Sequence, residues 1–187
     1  MYGMKGVDSK MTADKIYDLA RIYKSAMLSA YNSGAFDDDD VFCDFPTGCC
    51  GDTCVLLAAY LELFDVHTIY IWGDRGRQSH AWLVVNDSRV KQPTPSTFNP
   101  TVEYKQWMKL YGQEVTGPID TTRYTARDFT NGLIIDITAD QFGESSVYVG
   151  PRNSFYRRFT FHSAHTCNGV HEYRLNKLYR KIAEFLP

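Results

Sequence analysis

A chain of 187 residues, 44 % of them hydrophobic and 22 % charged, is long enough to bury the core of one domain, and its formal net charge of −2 leaves no basic field of the kind nucleic acid requires. No apolar stretch is long enough to span a bilayer, and the N-terminus lacks the charged and apolar regions of a cleaved signal, so the chain is expected in the cytoplasm or exported without a cleaved signal peptide. Its five cysteines are odd in number and irregularly spaced, which suits reduced thiols better than a disulfide framework.

Residues 1–11 carry no periodic pattern and are expected to be loose. Ile16, Leu19, Ala20, Tyr23, Met27, Ala30 and Tyr31 then recur at helical spacing, with Thr12 placed as N-cap and Gly34 as stop. The run Asp37 to Asp40 reads as a solvated loop, because consecutive carboxylates cannot converge as spaced metal ligands do. Next comes Gly48-Cys49-Cys50-Gly51-Asp52-Thr53-Cys54, followed by the breaker-free apolar run Val55 to Leu63, which predicts a buried helix with a thiol on its first turn. The orphan N–H groups and positive dipole end at that position favour a thiolate.

Val66 to Trp72 reads as a strand, Gly73 to Arg77 as a loop and His80 to Val85 as a second strand. Residues 88–131 form a long insertion broken by Pro93, Pro95 and Pro100, with a short helix expected over 102–111; it is either a lid or a decoration. Leu133-Ile134-Ile135-Asp136-Ile137 is an apolar strand interrupted by one carboxylate, Val147 to Val149 a further strand, and Phe155 to Phe161 another. Leu175, Leu178, Tyr179, Ile182 and Leu186 stripe a last helix whose Arg174, Lys177, Arg180 and Lys181 are expected to face outward.

Cys, His and Asp in that order are the residue types that acyl transfer through sulfur requires: a thiolate, an imidazole that pairs with it and protonates the leaving group, and a carboxylate that holds the imidazole's tautomer. If the strands at 80–85 and 133–137 pair antiparallel, His80 and Asp136 become cross-strand neighbours, and Asp136 gains the partner that a carboxylate inside an apolar strand needs. Cys54, one turn after Cys50, reads as core packing; Cys43 and Cys49 read as inert, with Cys49 a redox partner at most. Cys167 and the histidines at 67, 162, 165 and 171 have no motif around them.

Gly48-x-Cys50, the helical Leu56 to Leu61 run, His80-Ala81-Trp82 and the strand ending in Asp136 together resemble the transglutaminase-like branch of the papain-like cysteine enzymes, over roughly residues 45–142. The resemblance implies one α+β catalytic domain over 1–187, in which the nucleophile's helix packs on an antiparallel sheet carrying the His and Asp. It also selects Cys50 over Cys49 as nucleophile, with His80 and Asp136 completing a triad. The chain departs from the family where Ile137-Thr138 follows Asp136 in place of a common proline. The Cys50 backbone N–H is the natural oxyanion donor, with Gln78 or Gln141 as a side-chain candidate; Trp82 either shields the site or belongs to the core.

The expected activity is that of a cysteine hydrolase acting on an amide of a protein or peptide substrate through a thioester: a peptidase, amidase or glutamine deamidase, with a toxin or effector as the role its architecture suggests, and needing no cofactor or metal. Transglutaminase or other acyltransferase chemistry is the alternative within the same site. Outside catalysis, Cys50 and Cys54 with Cys43 or Cys49 and His80 would make a structural zinc site in a binding module, or a degenerate papain-like fold would only bind a partner.

Overall fold

The computed structural model describes residues 11–167, 170 and 172–187; the expected loose stretch up to residue 10, the turn residues 168 and 169 and the histidine at 171 lie outside them. The fold is α+β. Helix α1 (Ala13–Asn32) starts where Thr12 accepts the Lys15 N–H at 3.3 Å and buries Ile16, Ala20, Tyr23, Met27 and Ala30 on one stripe. A 3₁₀ turn at Phe42–Asp44 leads into α2 (Cys50–Glu62), whose Leu56, Leu57 and Leu61 are fully buried. Each such leucine stabilises the fold by about 1.5–3 kcal/mol.

Strands β1 (Thr68–Arg75) and β2 (Gln78–Val85) form a hairpin closed at Gly76-Arg77. The expected loop at 73–75 is therefore strand. Its glycine is required by a close approach, since a β-carbon on Gly73 would lie 2.6 Å from the Thr160 carbonyl oxygen of the neighbouring strand.

Within the insertion, β3 (Thr97–Phe98) pairs with β4 (Ile119–Asp120), and α3 (Val102–Leu110) between them buries no side chain. After it come β5 (Leu133–Asp136), β6 (Tyr148–Pro151), β7 (Thr160–Thr166) and α4 (Tyr173–Ala183). The strand expected over 155–161 is instead a 3₁₀ turn at Tyr156–Arg158 followed by β7. Phe155, Tyr156 and Phe159 are all buried together, a spacing that a turn satisfies and an alternating strand does not.

The five long strands make one antiparallel sheet in the order β6-β5-β2-β1-β7. Alternate residues divide between two cores: Ala81, Leu83, Val85, Leu133 and Ile135 face the layer of α1, α2 and α4, while Ile69, Ile71, Trp82, Val84 and Ile134 face an outer layer built from Phe129, Phe155, Tyr156 and Phe159. The insertion is rooted in that outer layer by Val90 and Phe129, and its base is closed where the Lys91 N–H donates to the Asp128 carbonyl at 2.9 Å.

Helix α4 docks through charge as well as through Leu175, Leu178 and Ile182. Arg174 donates to both Asp39 oxygens at 3.1 and 3.0 Å and also to Asp52, and Lys177 and Lys181 each reach Asp38 at 2.6 Å. The acidic run is thus a receptor for the last helix rather than a solvated loop, and three of the four basic residues expected to face outward hold it down.

Candidate active site

The turn before α2 sets the position of the cysteines. Gly48 has φ of 73°, a left-handed conformation that a side chain would strain, and its N–H donates to Gln141 Oε1 at 3.4 Å. Cys49 then fills the cap position of α2 without a side-chain cap bond, so no capping oxygen stands between the first-turn N–H groups and whatever approaches them.

The thiols of the chain differ sharply in surroundings. Cys49 is buried, donates to the Pro46 carbonyl at 3.3 Å and accepts from Thr53 Oγ1 at 3.5 Å; burial pushes its thiol up to about 12. Burial likewise holds Cys54 well above the ordinary thiol range and Cys167 at about 11. Cys43 is exposed, its Sγ 3.6 Å from the Asp40 carbonyl. Cys50 alone is a half-exposed thiol on the first turn of a helix.

His80 and Asp136 are brought together. His80 Nε2 lies 2.6 Å from Asp136 Oδ2, with both side chains inside the protein. Since an ionised carboxylate only accepts, Nε2 carries the proton. The pair is diagonal rather than directly opposed: the register sets Leu83 against Ile135 and Val84 against Ile134, so on continuation Asp136 falls opposite Trp82 and His80 lies two residues further along β2.

Asp136 is fully occupied. Tyr156 Oη donates to Oδ2 at 3.0 Å, while the Thr138 N–H and Oγ1 donate to Oδ1 at 2.9 and 3.2 Å. The other imidazole nitrogen, Nδ1, is buried and makes no hydrogen bond among the described residues. Burial disfavours the charged ring, but Asp136, through its charge and hydrogen bond, and then Cys50 outweigh it and raise the His80 pKa from 6.5 to about 9. With Nε2 committed to Asp136, Nδ1 is the nitrogen left for Cys50.

An aromatic cage fixes the ring. Phe142 meets His80 edge-on at 5.0 Å, and Phe155, Phe159 and Trp82 stand at 5.9, 5.6 and 5.8 Å between centroids. The Arg75 guanidinium lies over the rings of Phe142, Phe155 and Phe159 at 5.1–5.6 Å, held by Gln78 Oε1 at 3.1 and 3.0 Å. Gln78 therefore serves the outside of the cage. Gln141 is the glutamine tied to the cysteine turn, accepting from Gly48 and donating to the Thr138 carbonyl at 2.9 Å. Trp82 is a core tryptophan that also walls the imidazole.

Behind Asp136, the buried Lys24 of α1 donates to the Ile137 carbonyl at 2.7 Å and to Asp140 Oδ2 at 2.9 Å, pinning the segment that carries Thr138 and Gln141. Lys24 and Tyr156 escaped the sequence reading because their partners are remote in the chain. Thr138 had a local signal, since Asp-x-Thr is a pattern in which a carboxylate turns back on the backbone two residues on. The zinc arrangement is not assembled: His80 is spent on Asp136, and among the described residues no three His, Cys, Asp or Glu side chains group as a metal site.

Compared with protein-family models, with curated proteins and with solved structures, the chain gives no match.

Proposed function

We propose that the chain is a cysteine-dependent amide hydrolase with a transglutaminase-like, papain-like catalytic core, in which Cys50, His80 and Asp136 act as nucleophile, acid–base and orienting group. The observation that carries this reading is the buried His80–Asp136 pair at 2.6 Å, with the remaining imidazole nitrogen unpartnered among the described residues and Cys50 half-exposed on an uncapped helix terminus.

In this scheme the Cys50 proton already rests on His80 Nδ1 as a thiolate–imidazolium pair, and the thiolate attacks the substrate carbonyl carbon. The Cys50 N–H receives the developing oxyanion, with the second N–H of the Gln141 amide as the candidate partner. Collapse breaks the C–N bond as Nδ1–H protonates the departing amine or ammonia, leaving a thioester. His80 then takes a proton from water, hydroxide adds to the thioester carbonyl, and the carboxylic acid leaves as Sγ is released. The half-exposed position of Cys50 gives water access to the thioester, which favours hydrolysis over transfer to an amine.

The test is release of ammonia or a new amine from a panel of glutamine-bearing and backbone-amide peptides. Wild type is expected to turn over at least one class and Cys50→Ala none; equal turnover by Cys50→Ala would remove the thiol mechanism.

A further inference from the structure

One surface beside Cys50 is left unused by this chemistry. Tyr70, on the helix-facing side of β1, brings its hydroxyl so close to Gly51 that a β-carbon there would sit 3.2 Å away, which puts the start of a row of side chains against the first turn of α2. Two residues on, and on the same side of the strand, is Trp72, about 7 Å further along. Helix α2 runs antiparallel to β1 and begins at Cys50, so Trp72 stands where the helix no longer covers the sheet; it is 38 % exposed.

Neighbouring β7 backs both rings with imidazoles. His165 stacks on Tyr70 at 4.7 Å and 27°, and His162 on Trp72 at 4.5 Å and 29°. His162 Nε2 is held in turn by Asp74 Oδ2 at 2.9 Å. An indole stacked on one side and open on the other is a fixed flat surface, with little side-chain freedom left to lose when something lies on it.

Resting on the proposed thiol chemistry, we infer that Tyr70 and Trp72, backed by His165 and His162, form a substrate shelf that takes an aromatic side chain of a peptide within two or three residues of the amide delivered to Cys50. The strand repeat sets the offset: Tyr70 meets the turn of Cys50 at Gly51, and Trp72 lies two strand residues beyond it, about 7 Å, the reach of about two residues of extended substrate. The chemistry sets the class. The open indole face of Trp72 and the parallel stacking of both rings on their histidines match a flat aromatic side chain, which can extend the stack.

Chloroacetamide reagents test this directly. Plain chloroacetamide identifies the reactive thiol, and dipeptide chloroacetamides with Phe or Leu, placed one residue to either side of the reactive group, read the shelf. For wild type, the Phe reagent in at least one orientation is expected to label Cys50 about three- to tenfold faster than its Leu counterpart. That ratio should fall to about one in Trp72→Ala and recover in part in Trp72→Phe, with His162→Ala giving an intermediate value from a surface position that leaves the core alone. A ratio of one in wild type for both orientations, or a ratio that survives Trp72→Ala, overturns the shelf. If plain chloroacetamide does not select Cys50 at all, the thiol reading itself fails and the shelf with it.

Discussion

An ionised carboxylate with only 2 % of its surface exposed must have its lone pairs occupied, and Asp136 accepts from His80, Tyr156 and, twice, from Thr138. That saturation decides the tautomer of His80. In Asp136→Asn an amide NH₂ turned toward Nε2 would force the imidazole proton onto Nδ1, where it can no longer accept from the thiol; turnover is expected to fall about 10³–10⁴-fold with substrate binding retained. Full activity in that variant would mean that another group orients the ring. The raised pKa of His80 also has a consequence for stability. The folded chain keeps a proton that the unfolded chain releases from about 6.5 upward, so the contribution is fully present below pH 6.5 and is lost as pH rises through about 9. Unfolding free energy is therefore expected to decline across that window by on the order of 1–3 kcal/mol, and His80→Gln to flatten the decline. A stability that rises between pH 6.5 and 9 would contradict the assignment of the proton to His80.

Among the elements, α2 and α4 are joined by one side chain whose role is visible only in three dimensions. Arg174 ties Asp39, in the loop after α1, to Asp52, on the first turn of α2 beside Cys50. Burial works against the Asp39 carboxylate, but the Phe42 N–H, Arg174 and the Val41 N–H together hold it below the usual range. Arg174→Gln is expected to cost about 1–3 kcal/mol and to lower the melting temperature, because it leaves the buried Asp39 short of its charge partner. An unchanged melting temperature would show the network to be ornamental. None of this was legible in the sequence, where basic residues on a striped helix and a run of four aspartates both look like solvated surface. What was legible is local: α1 from its apolar period and Thr12, α2 from the unbroken Val55 to Leu63 run, β2 and β5 from β-branched runs, and the contact of His80 with Asp136 from residue type and the expected strand pairing. The extension of β1 through Gly73 and the turn at 156–158 were hidden, because partners across the sheet overrode the local signals there.

Taken as a whole, the molecule places its catalytic candidates at the junction of two cores and its long insertion on the outer one. None of the residues of 88–131 is among the hydrogen-bond or ring partners of His80 or Asp136, and α3 leaves Trp107, Leu110 and Tyr111 exposed. Replacing residues 94–122 by a short Gly-Ser link, with the Lys91–Asp128 hydrogen bond at the base retained, should lower the melting temperature by no more than a few degrees. Labelling of Cys50 by a small reagent should be unchanged, and only the choice among protein substrates should move. Loss of Cys50 labelling would instead make the insertion part of the site.

The most direct measurement is alkylation by limiting iodoacetamide near pH 6, mapped by mass spectrometry in wild type and His80→Ala. At that pH an ordinary thiol is almost wholly protonated, and burial keeps Cys49, Cys54 and Cys167 higher still. A thiolate paired with His80 predicts selective labelling of Cys50 that weakens in His80→Ala. Slow, uniform labelling of all the cysteines, unaffected by His80→Ala, would contradict it.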